Sequence, residues 1–294
     1  MLSRIGRHFL LCKALAIGMV APKTSVWRAA ECNLPAKGSN GRARLLPSLV
    51  LVQQEPLPPV TIDTSARLKS PFSPKLFTFL RELKSNNDRE WFAENKARYE
   101  HDVLQAAMDF VTQMQPRLAK HSRYLLAEPK RVGGSIMRIY RDTRFGKDKT
   151  PYKTNVGIHF RHSIGGDVHA PGLYVHLEPG ACFLAAGIWL PPTEPLAAIR
   201  QSIMDNVADW NRVRNNKKFV SQFKFDGDSL KTAPRGIDPN HPAIEDLRRK
   251  SFAGITPLSD KAFLQPDILD KIMSAFNDAK PLMKFLCDAL QQPY

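Results

Sequence analysis

From Pro74 onward the apolar positions fall into a helical rhythm. Leu76, Phe77, Leu80 and Leu83 recur every three or four residues behind Ser73-Pro74, a pairing suited to a helix start. The polar run Ser85-Asn86-Asn87-Asp88 closes that helix and caps a second. Along the second, Trp91, Asn95, Tyr99, Val103, Ala107, Phe110, Met114 and Leu118 form a core-facing stripe. Pro116 is expected to kink or end it, since proline removes a helix hydrogen bond. From about Ser135 the rhythm shortens to two. Ile136–Arg144, Asn155–Arg161, Gly172–Leu177 and Cys182–Leu190 read as four short strands. Ile164-Gly165-Gly166-Asp167 and Glu178-Pro179-Gly180-Ala181 read as hairpin turns, so neighbouring strands should run antiparallel.

Thr193 with Pro195 then caps a helix carrying Leu196, Ile199 and Ile203. A Pro/Gly/Asp loop spans Ala233 to Pro242, and a last helix starts near Pro266 with a bend at Pro281. Helices, then strands, then helices is an α+β order rather than alternating βαβ. The predicted fold is an antiparallel β-meander sheet flanked by an N-terminal helix pair and C-terminal helices, in a single domain over residues 71–294.

Residues 1–70 follow neither rhythm. Ten Lys and Arg face three acids there, and Arg4, Arg7, Lys13, Lys23 and Arg28 all precede the first acid, Glu31. Leu34 to Pro59 is rich in Pro, Gly, Ser and Arg. The segment reads as a disordered or non-native basic extension, or as a mitochondrial transit peptide. A secretory signal fits less well, because Lys13 interrupts the apolar run Phe9–Ala21. No run reaches the roughly 18 apolar residues that span a bilayer, so no membrane association is expected. The net charge of +15 draws almost half its excess from this extension, which weakens any inference of nucleic-acid binding from overall charge. Cys12, Cys32, Cys182 and Cys287 form no C-x-x-C pair, so neither a disulfide framework nor a zinc site is implied. The expected location is a reducing one, cytoplasmic, or mitochondrial if residues 1–30 are a transit peptide.

One stretch concentrates candidate chemistry. RIYRDTRFGKDKTPYKTN, Arg138 to Asn155, carries six basic side chains against two acidic ones. Arg138, Arg141, Arg144, Lys147, Lys149 and Lys153 are candidate ligand-binding residues, with Tyr140 placed to pack on a ring or sugar. Guanidinium forks grip phosphates and carboxylates in bidentate fashion, and lysines add point charges. With a period of two, Arg138, Tyr140, Asp142 and Arg144 share a face. The buried positions Ile136 and Ile139 break the alternation, so a bulge or strand end near Tyr140 is expected. The competing reading is that Asp142 and Asp148 pair with two of the cations and the rest are solvated. Downstream, Tyr174, His176 and Glu178 share one strand face, and His176 with Glu178 is the candidate catalytic acid/base pair. A satisfied polar face competes with that role. His159, His162 and His169 lack metal-ligand spacing, no cofactor fingerprint is present, and Cys182 reads as a buried structural thiol.

Four strings, FLRELKSNNDREWFAENKARYE, RIYRDTRFGKDKTPYKTNVGIHF, GLYVHLEPGACFLAAGIWLP and PRGIDPNHPAIEDLRRKSF, resemble one family in unbroken order. It is the bacterial and fungal family known only as a domain of unknown function, number 2461. The resemblance runs from about Phe72 to Leu290 and implies one compact α+β domain, with residues 1–70 outside the family core. Gly146 departs from it, standing where the family pattern usually has Ser. The resemblance brings no activity. Three functions stay open: binding of a phosphate-bearing or other anionic ligand, nucleic acid included; an enzyme acting on such a ligand; and a protein-interaction module without a small-molecule site.

Overall fold

The computed structural model describes residues 69–144, 147–165 and 169–294. Residues 1–68, 145–146 and 166–168 lie outside the described residues, and with them the predicted extension and the second half of the predicted turn Ile164–Asp167. Ser70 already belongs to the folded part: its hydroxyl donates to the carbonyl of Phe263 at 2.6 Å.

The first helix, α1 (Pro74–Ser85), begins with its proline at the start and buries Leu76, Phe77, Phe79, Leu80 and Leu83. Asp88 caps α2 (Arg89–Glu94), its carboxylate accepting from the Trp91 amide at 2.8 Å. The expected single long helix is instead segmented. A one-turn α3 (Lys96–Arg98) leads into a π-helical stretch, Tyr99–Gln105, before α4 (Ala106–His121). Pro116 neither ends α4 nor starts a new element. Phe110, Met114 and Leu118 are buried on the same face, and that burial outweighs the one backbone bond lost at proline.

Among the described residues five strands form one antiparallel sheet, the first three side by side in chain order and the fifth inserted between the third and the fourth. The meander is present as β1 (Val156–Arg161), β2 (Gly172–Leu177) and β3 (Phe183–Ile188). The Glu178 turn closes with Ala181 N–H donating to Glu178 C=O at 2.9 Å, and Gly180 supplies the positive φ of +75°. Between β3 and β5 the chain makes α5 (Thr193–Asp205), α6 (Val207–Arg214), α7 (Lys217–Gln222), β4 (Lys224–Asp226) and α8 (Ile244–Leu247). Then β5 (Phe252–Pro257) pairs with β3. After α9 (Asp260–Phe263) come α10 (Ile268–Asp278) and α11 (Lys280–Ala289). Pro281 lies in the first turn of α11, where its missing N–H costs nothing, so the expected bend is a full break at Ala279.

Ile136–Arg144 is not a strand of the sheet. Ile136 bridges Ile158 and Tyr140 bridges Tyr152, with no continuous ladder between them. Ile136 and Ile139 are both buried although three residues apart, which a flat strand cannot achieve. The segment therefore flanks β1 at Met137 and then turns away into a hairpin of its own. In that hairpin Arg141 N–H donates to Pro151 C=O, and Lys153 N–H to Ile139 C=O, each at 2.8 Å.

One face of the sheet, with Ile158, Phe160, Val175, Leu177, Leu184 and Ile188, is covered by α4 and α11 and forms the core. A polar node is buried at its far side. Asp246 on α8 accepts from Trp210 Nε1 at 2.8 Å and Arg249 Nε at 2.9 Å, and pairs with Arg214. Among the described residues no helix is long and apolar enough to cross a membrane.

Candidate functional site

The opposite face of the sheet carries polar chemistry. The register sets Gly157 opposite His176, His159 opposite Tyr174, Tyr174 opposite Ala185, and His176 opposite Phe183, so all of these side chains project to one side. Tyr174, His176 and Glu178 are all buried, and they are joined in a row. The Tyr174 hydroxyl lies 3.0 Å from His176 Nδ1, and His176 Nε2 lies 3.3 Å from Glu178 Oε2. In this polarity the tyrosine donates to Nδ1, while Nε2–H donates to the carboxylate and fixes the tautomer. Phe183 stacks on the imidazole at 4.4 Å and 14°.

Two glycines clear space on this face, Gly157 for the row itself and Gly172 for the neighbouring His159, a role their own strand did not reveal. A Cβ on Gly157 would stand 2.6 Å from the Tyr174 hydroxyl, and one on Gly172 would stand 2.2 Å from His159 Nε2. Glycine inside a strand signals close approach, which is the one sequence trace of this arrangement. Met137 packs against the small cluster formed by Tyr174, Phe183, Ala185 and Ile255.

The basic hairpin stands at the same end of the sheet as Glu178, because β1 begins at Val156 where β2 ends at Leu177. Its base is clamped from α1–α2: Asn87 Nδ2 donates to Tyr152 C=O, and Tyr152 N–H donates to Asn87 Oδ1, both at 3.0 Å. Lys84, at the end of α1, brings its ammonium within 3.9 Å of Glu178 Oε1. Within the hairpin, Arg144 holds Asp142 through Nε at 3.0 Å and Nη2 at 2.7 Å. Arg141 holds Asp148 at 2.6 Å and also meets the Thr150 hydroxyl. Lys149 Nζ donates to Thr143 C=O at 2.7 Å, and the buried Lys153 Nζ to Arg138 C=O at 3.0 Å. Arg138, Tyr140 and Lys147 are exposed.

The pairing sets the acids' charge. The Arg144 guanidinium, aided by the Arg144 amide, holds the Asp142 carboxyl down to about 2. The Thr150 amide and then Arg141 hold Asp148 down to about 2. Both are anions at neutral pH. Burial pushes the Cys182 thiol far up, which removes it as a nucleophile at neutral pH. His162 turns away from the polar face and meets Pro293 C=O through Nε2 at 2.6 Å. Among the described residues no three His, Cys, Asp or Glu side chains are grouped to hold a metal ion.

The structure thus gathers His176 with Glu178, and groups Arg141, Arg144, Lys149 and Lys153 in one hairpin whose bonds are largely internal. A family model described as "Conserved hypothetical protein (DUF2461)" matches residues 75–285. No curated protein and no solved structure matches the chain.

Proposed function

We propose, for a chain that belongs to the DUF2461 family, that residues 71–294 form a single domain binding a phosphate-bearing or other anionic ligand where the basic hairpin meets the polar sheet face. The observation that carries the reading is the hairpin's surplus charge on a fixed frame. Six cations and two carboxylates leave four positive charges between Arg138 and Asn155. Backbone pairing and the Asn87 clamp hold the base of the hairpin at the end of the sheet where Glu178 stands. A preorganised set of cations spares a ligand the entropy of gathering them. The free, buried thiols of Cys182 and Cys287 fit a reducing compartment, the cytoplasm or mitochondria.

The test is a thermal-shift screen of the full chain against phosphate, pyrophosphate, sugar phosphates, nucleotides and short oligonucleotides. A ligand at about 100 times its Kd adds about 2.7 kcal/mol and raises Tm visibly. The shift should disappear in Arg138→Ala/Lys147→Ala. No shift with any anion would sink the reading and turn attention to protein partners.

A second reading, an enzyme acting on the same ligand, is favoured by the Tyr174–His176–Glu178 row. His176 would act as general acid/base, with Glu178 fixing its tautomer. His176→Gln should then spare binding and abolish turnover. Loss of binding with turnover unchanged per bound ligand would reject that role.

A further inference from the structure

We infer that the ligand of the hairpin is a nucleoside phosphate whose base lies on the exposed ring of Tyr140; the inference rests on the anion-binding reading above. Tyr140 is 54% exposed, and among the large exposed hydrophobic residues described, Val132, Tyr140, Ile164 and Val220, it is the aromatic one. A singly exposed apolar residue is ordinary. This ring differs in what stands behind it. Its backbone is pinned by the bridge to Tyr152, and the buried Ile139 beside it anchors the chain. The Tyr152 ring touches the Tyr140 ring at 5.5 Å with a tilt of 47°, and itself stacks on Phe92 at 4.1 Å and 21°. Phe92 in turn packs against Phe79 and Tyr99 in the core. Tyr140 is therefore the outermost ring of an aromatic column that reaches inward to the core. A ring supported in this way loses little freedom when a second planar group is laid on it.

Arg138 lies on the same side. Arg138 and Tyr140 are both exposed with Ile139 buried between them, so the guanidinium and the ring share the solvent face. Lys147 and Lys149, also exposed, rise from the same hairpin. A flat π-surface beside cations fits a ligand with a heteroaromatic ring at one end and phosphate at the other. A phosphate or sugar phosphate would use the cations and leave the ring idle. A single-stranded nucleic acid needs successive stacking rings along a groove. One exposed aromatic among the described residues serves one base, so the fit is to a mononucleotide.

Calorimetric titration of the full chain at fixed ionic strength tests this with four probes: AMP, ribose 5-phosphate, pyrophosphate and an oligothymidylate. AMP should bind about tenfold or more tighter than ribose 5-phosphate, the scale of one base stacked on an aromatic ring. Tyr140→Ala should erase that ratio and leave ribose 5-phosphate affinity in place, while Tyr140→Trp restores it. Unchanged Tm in both variants establishes that the fold is intact. Equal affinity for AMP and ribose 5-phosphate overturns the nucleotide inference while the anion reading survives. Affinity for the oligomer that grows with each added nucleotide replaces it with a single-strand site. If no probe binds, pyrophosphate included, the anion reading itself fails.

Discussion

Gly157→Ala tests whether the polar row on the sheet is a built arrangement. The new methyl carbon would stand 2.6 Å from the Tyr174 hydroxyl, 3.0 Å from Met137 Sδ and 3.2 Å from Tyr174 Cε2. Ordinary contact begins near 3.4 Å, so the hydroxyl must retreat by about 0.8 Å. Its partner, His176 Nδ1, starts at 3.0 Å, and a retreat of that size along the line to it would carry the pair out of hydrogen-bond range. An overpacked methyl in a filled site costs about 1–3 kcal/mol, and a lost hydrogen bond about 1 kcal/mol more. The expected loss is about 2–4 kcal/mol, or roughly 4–16 °C in Tm for a domain of this size. Urea denaturation measures it, with Gly180→Ala as the control. Gly180 has φ +75° but nothing within 4 Å, so it should lose only about 1 kcal/mol of backbone strain. The decisive comparison is Gly157→Ala in a Tyr174→Phe background. With the oxygen gone, the same methyl should cost about 1 kcal/mol less than in the parent. Strictly additive losses would refute the claim that Gly157 exists to seat that hydroxyl.

Three further outcomes follow from other parts of the molecule. Asp246→Ala strands the wholly buried Trp210 indole N–H and separates Arg214 and Arg249 from their shared carboxylate; since both arginines keep some solvent access, the loss should be about 3 kcal/mol, the lower end for a broken buried pair. A change under about 1 kcal/mol in urea denaturation would show that water replaces the carboxylate. His121 is held below its ordinary pKa by burial and by Lys280, against the hydrogen bond its Nδ1 donates to Asn277 Oδ1, so the unfolded chain takes up its proton first. Its contribution to stability is present above pH about 6.5 and is lost as pH falls below that value; His121→Gln should flatten this part of the pH–stability curve, and an unchanged slope would exclude His121 as its source. Burial raises the Cys287 thiol to about 12 and Cys182 higher still. In a Cys12→Ser/Cys32→Ser background both should resist a thiol reagent at pH 8 until urea unfolds the chain, and rapid labelling of either in the folded protein would contradict its burial.

The sequence reveals most where a local period survives into the fold. The α1 stripe and the three meander strands are legible because each pairs or packs with its immediate neighbour, and the Glu178 turn declares itself through Pro179 and Gly180. The last two sheet positions are not legible. β5 reads F-A-G-I-T-P, with glycine and proline that argue against a strand, yet it is held centrally between β3 and β4 by long-range pairing. β4 is three residues long, too short for any period. In the site, spacing of two is enough to place Tyr174, His176 and Glu178 on one face. The clearance given by Gly157 and Gly172 depends on the neighbouring strand, and the Asn87 clamp joins positions 65 residues apart. Neither leaves a trace in local pattern beyond the glycines themselves.

The ion pairs of the hairpin bear on which cations meet a ligand. Density of positive charge alone could not separate seven candidate residues into those that build the site and those that use it. Their partners in the fold differ. Arg141 and Arg144 are engaged by carboxylates that stay ionised down to about pH 2, and Lys153 is buried on a backbone carbonyl, so these three stiffen the hairpin. A phosphate competing for them would have to displace a neighbour already in place. Arg138, Lys147 and the ring of Tyr140 face solvent instead, and Lys149 is exposed while its ammonium donates to Thr143 C=O. On the proposed reading, the paired arginines act by position and the exposed groups by contact. Removing Asp148 would then weaken binding by loosening the frame, although it raises the net positive charge. That opposite sign separates a structured anion site from a merely basic loop, for which each acid removed can only strengthen attraction.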